Sequence, residues 1–222
     1  MKQKVWFITG SSKGLGKEWV KAALQRGDKV VATARSIDSL KDLQDTYKEN
    51  ILLLPLDVRQ REACFSAVEK AHQHFGSLDV VVNNAGYGLF GMVEEITEAE
   101  ARAQMETNFF GALWVTQAVL PIMRQQQSGH IMQVSSIGGI IANISLGLYH
   151  ASKWALEAFS ESLSKEVGSM GIHVTIIEPG GYKTDWGGNS AVHTSANAAY
   201  GKVREEHAKV RGSFRLGDPA AT

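Results

Sequence analysis

The chain of 222 residues is poor in features that mark several common protein classes. It has a single cysteine, Cys64, so no internal disulfide is possible and a reducing compartment fits best. No CxxC pair or Cys/His cluster is present, which argues against a bound metal. Neither sign of charge dominates: 23 Lys and Arg balance 23 Asp and Glu, so nothing points to nucleic acid as the main partner. No apolar run approaches membrane-spanning length, and the stretch after the first lysines, Val5-Trp6-Phe7-Ile8, is too short for a signal-peptide core. The expectation is a water-soluble, cytoplasmic protein without a membrane partner.

What is present is a regular alternation. Short apolar runs at residues 5–9, 29–34, 51–56, 78–83, 130–135 and 173–178 read as strands. Amphipathic stretches at 15–26, 37–47, 62–75, 98–124 and 148–168 read as helices, the fourth interrupted by Gly111 and ending near Pro121. Six strands alternating with helices predict one doubly wound α/β domain of Rossmann type over residues 1–222. The parallel sheet has strand order 3-2-1-4-5-6. After Pro179 the alternation stops, and residues 180–215 are expected to form a substrate-loop region at the carboxyl edge of the sheet. Asp218-Pro219 then opens a helix that stops at Thr222.

Between the first strand and first helix lies Thr9-Gly10-Ser11-Ser12-Lys13-Gly14-Leu15-Gly16. Glycines there let the backbone turn sharply and approach a pyrophosphate, which the free amides of a helix N-terminus attract. The spacing is GxxxGxG, without the GKS/T ending of a triphosphate-binding loop. Here the sequence resembles the classical short-chain dehydrogenase/reductase family, whose fingerprint is TGxxxGxG. Further segments match in order: Asp57-Val58, Asn83-Asn84-Ala85-Gly86 as NNAG, Asn108, Ser136, Tyr149-His150-Ala151-Ser152-Lys153 as YxASK, and Pro179-Gly180 with Thr184. The resemblance covers residues 4 to about 190.

It implies an oxidoreductase that moves a hydride between a nicotinamide dinucleotide and a carbonyl or secondary alcohol. Gly10, Ser12, Lys13, Gly14, Leu15 and Gly16 would then hold the pyrophosphate. Asp57 and Val58 would contact adenine. Asn84, Ala85, Gly86, Pro179, Gly180 and Thr184 would line the rest of the cofactor site, with Thr184 at the nicotinamide carboxamide.

Cofactor choice turns on the end of the second strand. Folds that prefer NAD usually carry an acidic residue there for the ribose 2′-hydroxyl. This chain has Ala34 followed by Arg35, with Lys13 as a second cation, so NADP(H) is expected.

Tyr149 and Lys153 are four residues apart and share a helix face. An ordinary tyrosine ionises near pH ~10; bringing that to neutrality requires about 4 kcal/mol of preference for the phenolate. An ammonium about 4 Å away, at an effective dielectric of about 20, supplies roughly that amount. The expectation is therefore a Tyr149 made more acidic by Lys153 and acting as general acid/base. By the resemblance, Ser136 polarises the substrate oxygen, with Ser135 as rival. Lys153 also binds the nicotinamide ribose, and Asn108 holds a proton-relay water. His150, next to Tyr149, is expected to point off the catalytic face.

The segments around Tyr87, Leu89 and Phe90, Ile137 to Leu146, and Tyr182 and Trp186 are largely apolar, which suggests a lipophilic substrate. A catalytically silent NADP(H)-binding regulator is the alternative. The resemblance also implies a seventh strand, which this sequence is expected to lack. A homodimer built on the two long helices is expected, with a mobile segment from about Gly187 onward.

Overall fold

A computed structural model describes residues 2–188, 190–211 and 216–219. The alternation becomes β1 (Val5–Ile8), α1 (Gly14–Gln25), β2 (Lys29–Ala34), α2 (Lys41–Tyr47), β3 (Ile51–Pro55), α3 (Arg61–Phe75), β4 (Val80–Asn83) and β5 (Leu89–Phe90). It continues with α4 (Glu98–Met105), α5 (Gly111–Gln126), β6 (Gly129–Val134), α6 (Gly147–Val167), β7 (Ile172–Ile177), β8 (Val192–His193) and α7 (Gly201–Arg211). The main sheet is parallel throughout, in the order β3-β2-β1-β4-β6-β7. This is the expected arrangement, renumbered because the short β5 lies outside it.

Strands covered on both faces must be apolar on both, and Val80, Val81 and Val82 of β4 are all buried. Two separate cores follow. On one face Phe7, Val31 and Val81 meet Cys64 and Val68 of α3, Val115 and Val119 of α5, and Leu163 of α6. On the other, Ile8, Val30 and Val82 meet Val20 and Leu24 of α1, and Leu40. Strand order reverses between β1 and β4, so the connections leaving their carboxyl ends run to opposite faces and leave a crevice, the usual ligand position in open α/β sheets.

Three local features depart from the expected pattern. The fourth helical stretch does not break at Gly111; it passes through a π-helical turn, Glu106–Phe110, directly into α5. Gly111 is there for proximity, since a Cβ on it would stand 2.6 Å from Cγ2 of Val58. The helix also runs past Pro121 to Gln126; Pro121 is exposed, where water can satisfy the carbonyl its missing N–H leaves.

The stretch after Pro179 is not only loop. β8 pairs with β5 in a two-stranded sheet, and α7 follows. Of the helix expected to open at Asp218, residues 220–222 lie outside the described residues. Among the described residues, β7 is an edge strand, and no helix is long and apolar enough to cross a membrane.

Candidate active site

The turn from β1 into α1 is held open by its glycines. Gly10 and Gly14 adopt φ values of +66° and +57°, which favour glycine. A Cβ on Gly10 would meet Ala85 Cα at 2.8 Å, and one on Gly16 would meet Asn84 Nδ2 at 2.4 Å. The reason is a brace. Asn84 Nδ2 donates to the carbonyls of Thr9 (2.8 Å) and Gly10 (3.0 Å), while the amides of Asn84 and Ala85 donate to Thr9 Oγ1. The Asn84 amide is thus spent on shaping the glycine turn. Gly16 is buried in the same packing, whereas Gly10, Ser12, Lys13, Gly14 and Leu15 line the cleft.

That cleft measures about 1080 Å³. At one end it reaches Ala34 and Arg35 beyond β2, and Asp57 and Val58 beyond β3. β2 ends on the buried Ala34, so that strand supplies no carboxylate at its end. Asp57 is engaged by Arg59, whose guanidinium and backbone amide hydrogen-bond to its carboxylate and hold it below the usual range. Thr184 stands near Gly14, whose Cβ would lie 3.7 Å from it, and so borders the glycine-turn end of the cleft. Pro179 and Gly180 line the wall, and the Pro179 carbonyl accepts from the Ile137 amide at 3.0 Å.

At the other end α6 delivers Tyr149 and Lys153 one turn apart, both buried. Lys153 Nζ donates to the Val134 carbonyl at 2.8 Å, closing α6 onto the end of β6. Ser136 follows that strand. Its Oγ accepts from the Gly138 amide at 3.0 Å and shares a hydrogen bond with the Tyr149 phenol. Ser135 also borders the cleft, but its hydroxyl is engaged toward Glu157 beside Gly139.

The acidified tyrosine expected from the spacing is not found in this state. Burial pushes the Tyr149 phenol up to about 12, with the Ser136 hydrogen bond opposing more weakly. Burial likewise brings the Lys153 ammonium down to about 8, against the pull of Glu157. Desolvation outweighs the Ser136 hydrogen bond at Tyr149, while the ammonium donates to the Val134 carbonyl and lies 5.9 Å from the centre of the Tyr149 ring.

Asn108 sits in the π-helical turn and is almost fully buried. Its Oδ1 accepts from the Tyr87 amide at 3.1 Å, and its Nδ2 donates to the Tyr87 carbonyl and to Ser152 Oγ. A Cβ on Gly86 would lie 3.2 Å from Asn108 Oδ1 and 3.6 Å from Lys153 Nζ, so these two groups flank the bare Gly86 backbone.

Two residues carry more than their local sequence signalled. His150 does not point away from the site. Its Nδ1 meets the Gly138 carbonyl at 2.8 Å and its Nε2 accepts from the Asn143 amide at 2.9 Å. A neutral imidazole protonated on Nδ1 satisfies both, and burial lowers its pKa. It braces the 138–143 segment over the cleft. Glu95, not singled out by the sequence, anchors the wall formed after β7.

A family model described as short chain dehydrogenase matches residues 4–194. The chain belongs to the short-chain dehydrogenase family. Among curated relatives this short-chain dehydrogenase is 46% identical over 215 residues to Oxidoreductase BOA17 of Botryotinia fuckeliana, covering 95% of this chain and 78% of that one. It spans 65% to 78% of the length of the first curated relatives it matches. Among solved structures, a short-chain dehydrogenase from Streptomyces avermitilis superposes with a TM-score of 0.92 at 39% identity, covering 99% of this chain and 81% of that one. ElxO with NADP bound superposes with a TM-score of 0.82 at 26% identity, covering 99% and 88%. This short-chain dehydrogenase is accordingly an oxidoreductase with a nucleotide-binding Rossmann-like domain.

Proposed function

We propose that the protein is an NADP(H)-dependent oxidoreductase that interconverts a lipophilic carbonyl compound and its secondary alcohol. The observation that carries this reading is convergence: Tyr149, Lys153 and Ser136 line the same cleft as the glycine turn and Arg35.

The residues present fit a dinucleotide. Side chains at Gly10 or Gly16 would collide with the Asn84-Ala85 brace, so the turn stays bare at the N-terminus of α1, where anions are favoured. Ser12, Lys13, Gly14 and Leu15 would hold the pyrophosphate, Asp57 and Val58 the adenine side, and Ala85, Gly86, Pro179, Gly180 and Thr184 the remainder. Arg35 and Lys13 would take the 2′-phosphate, with no carboxylate at Ala34 to repel it. Bound there in its reduced form, the dinucleotide supplies the hydride.

The chain's own residues handle the proton. A phenol with a pKa of about 12 keeps its proton at neutral pH, so Tyr149 is loaded as a general acid for carbonyl reduction. Its O–H donates to the substrate oxygen, and Ser136 offers a second hydrogen bond to the same atom. Lys153, still charged at pH 7, stabilises the phenolate that forms and donates to the ribose. Asn108, which with Lys153 flanks Gly86, would hold a water that returns the proton. Around this centre Phe90, Ile137, Leu146, Trp186 and Val192 supply an apolar lining suited to a hydrophobic ketone or aldehyde.

Arg35 favours NADPH, and purified protein assayed with NADPH and NADH against a panel of carbonyl compounds tests both halves of the assignment. A homodimer through the α4–α5 and α6 faces belongs to the same reading. It is supported by the half-buried aromatic row Phe159, Phe109, Phe110 and Trp114, and light scattering measures it.

A further inference from the structure

On the β5 side of the cleft, a polar knot stands outside the proposed chemistry. Glu95 ends the short helical turn Val93–Glu95, and its side chain is only 2% exposed. It accepts hydrogen bonds from the Met92 amide (2.8 Å), Thr194 Oγ1 (3.1 Å), the Asn197 amide (2.7 Å) and Arg204 Nη2 (2.5 Å). The last three donors lie 99, 102 and 109 residues further along the chain. Neighbouring Glu94 accepts from the Tyr200 hydroxyl at 2.7 Å, and a Cβ on Gly91 would run into Thr194.

The segment gathered in this way walls the substrate end of the cleft. Trp186, Ser190, Val192 and His207 line it, and His193 stacks on Phe90 at 5.1 Å. β8 pairs with β5 through the Val192 amide on the Gly88 carbonyl and the Thr194 amide on the Phe90 carbonyl. Two residues of strand are too little to hold such a segment in water. The buried carboxylate supplies the rest, and the Arg204 hydrogen bond, with the two amides, keeps its pKa down at about 2. Arg204 keeps Nη1 buried without a further partner among the described residues, and its other terminal nitrogen is held by Glu95, so this edge of the guanidinium is satisfied through the carboxylate.

We propose that Glu95 is a positioning residue that latches the 186–207 wall to the β5 turn through Arg204, Thr194 and the Asn197 amide, and thereby sets substrate affinity. The affinity statement rests on the oxidoreductase reading; the latch does not.

Glu95→Gln removes the charge, while Arg204→Met leaves Glu95 and its two amide donors in place. Two readouts separate the latch from general damage. Tryptic cleavage at Lys202, followed by mass spectrometry on the full chain without cofactor, should be about tenfold faster in both variants, because cleavage tracks the opened population. In steady-state assays KM for the carbonyl substrate should rise about tenfold, with kcat and NADPH affinity within about twofold of wild type. Unchanged cleavage in both variants would overturn the latch. So would a loss of NADPH affinity parallel to the rise in KM, which marks a damaged domain rather than a loosened wall. Wild-type protein that turns over no carbonyl contradicts the oxidoreductase reading alone, and the cleavage comparison still decides the latch.

Discussion

Trp186 lies against Tyr149: its indole and the Tyr149 ring are 4.9 Å apart between centroids, inclined at 60°. Phe90 meets the same indole edge-on at 5.5 Å, and a Cβ on Gly88 would stand 2.7 Å from it. The phenol is therefore roofed by a side chain from the segment after β7, and burial is the largest cause of its raised pKa. A substrate oxygen that reaches Tyr149 must share this space with the indole.

Removing the roof should acidify the tyrosine. Trp186→Ala is expected to bring Tyr149 ionisation down from about 12 toward the ordinary value near 10, as burial is the largest cause of the rise. Phenolate absorbance against pH, with Tyr149→Phe as the subtraction control, measures it. Gly88→Ala, which pushes the indole aside, should shift it the same way. An unshifted titration in both variants would show that the indole contributes nothing to the burial.

Cofactor choice rests on the end of β2. Arg35→Asp places a carboxylate where the 2′-phosphate is proposed to sit and removes a charge-assisted bond of about 1.5–3 kcal/mol. NADPH affinity should fall by roughly 10- to 100-fold while NADH affinity stays within a few-fold. Fluorescence titration with both cofactors is the measurement. Equal affinities in the wild-type protein would remove the role assigned to Arg35 and Lys13.

Lys153 links activity, stability and pH. Its folded pKa of about 8 lies below the ordinary 10.5, so between these values the unfolded chain binds more protons than the folded one. Through this group the stability of the cofactor-free protein rises as pH climbs across that window, and at pH 7 the buried ammonium is a cost. Lys153→Met should flatten the rise and stabilise the protein at neutral pH by about 1–3 kcal/mol, less than the full shift because the Val134 carbonyl loses its donor. Urea unfolding at several pH values reads this. In the wild-type protein kcat/KM should decline above pH 8, as the free enzyme loses the Lys153 charge.

Asn84 is assigned to shape the phosphate turn. Asn84→Ala leaves the Thr9 and Gly10 carbonyls without their side-chain donor, at a cost of about 1–3 kcal/mol. Both stability and NADPH affinity should drop. Normal NADPH binding in a destabilised variant would confine Asn84 to the fold.

What could be read from the residues, and what could not, divides by distance along the chain. The glycine turn at 10–16 and the Tyr149–Lys153 pair are local, since a strand-to-helix turn and one turn of helix fix their geometry almost without regard to the rest. The six-strand order was legible because apolar runs such as residues 80–82 mark buried parallel strands. β5 and β8 escaped because each has two residues and gains its structure only from a partner some hundred positions away. The same holds for Glu95, whose partners Thr194, Asn197 and Arg204 share no local pattern with it. The Tyr149 pKa was expected to fall because spacing reveals the neighbouring lysine. It rises because burial, the largest cause, is set by packing that belongs to the folded chain alone, and there Lys153 donates to the Val134 carbonyl.

The central claim is that Tyr149 donates the proton in an NADPH-dependent carbonyl reduction. The most direct measurement is loss of reduced-nicotinamide absorbance with lipophilic ketones and aldehydes, comparing wild-type protein with Tyr149→Phe and checking NADPH binding to both. The expected result is turnover by the wild type, a drop of at least about 100-fold in the variant, in line with the loss of a general acid, and NADPH affinity nearly unchanged. Turnover by Tyr149→Phe within a few-fold of wild type would contradict the account.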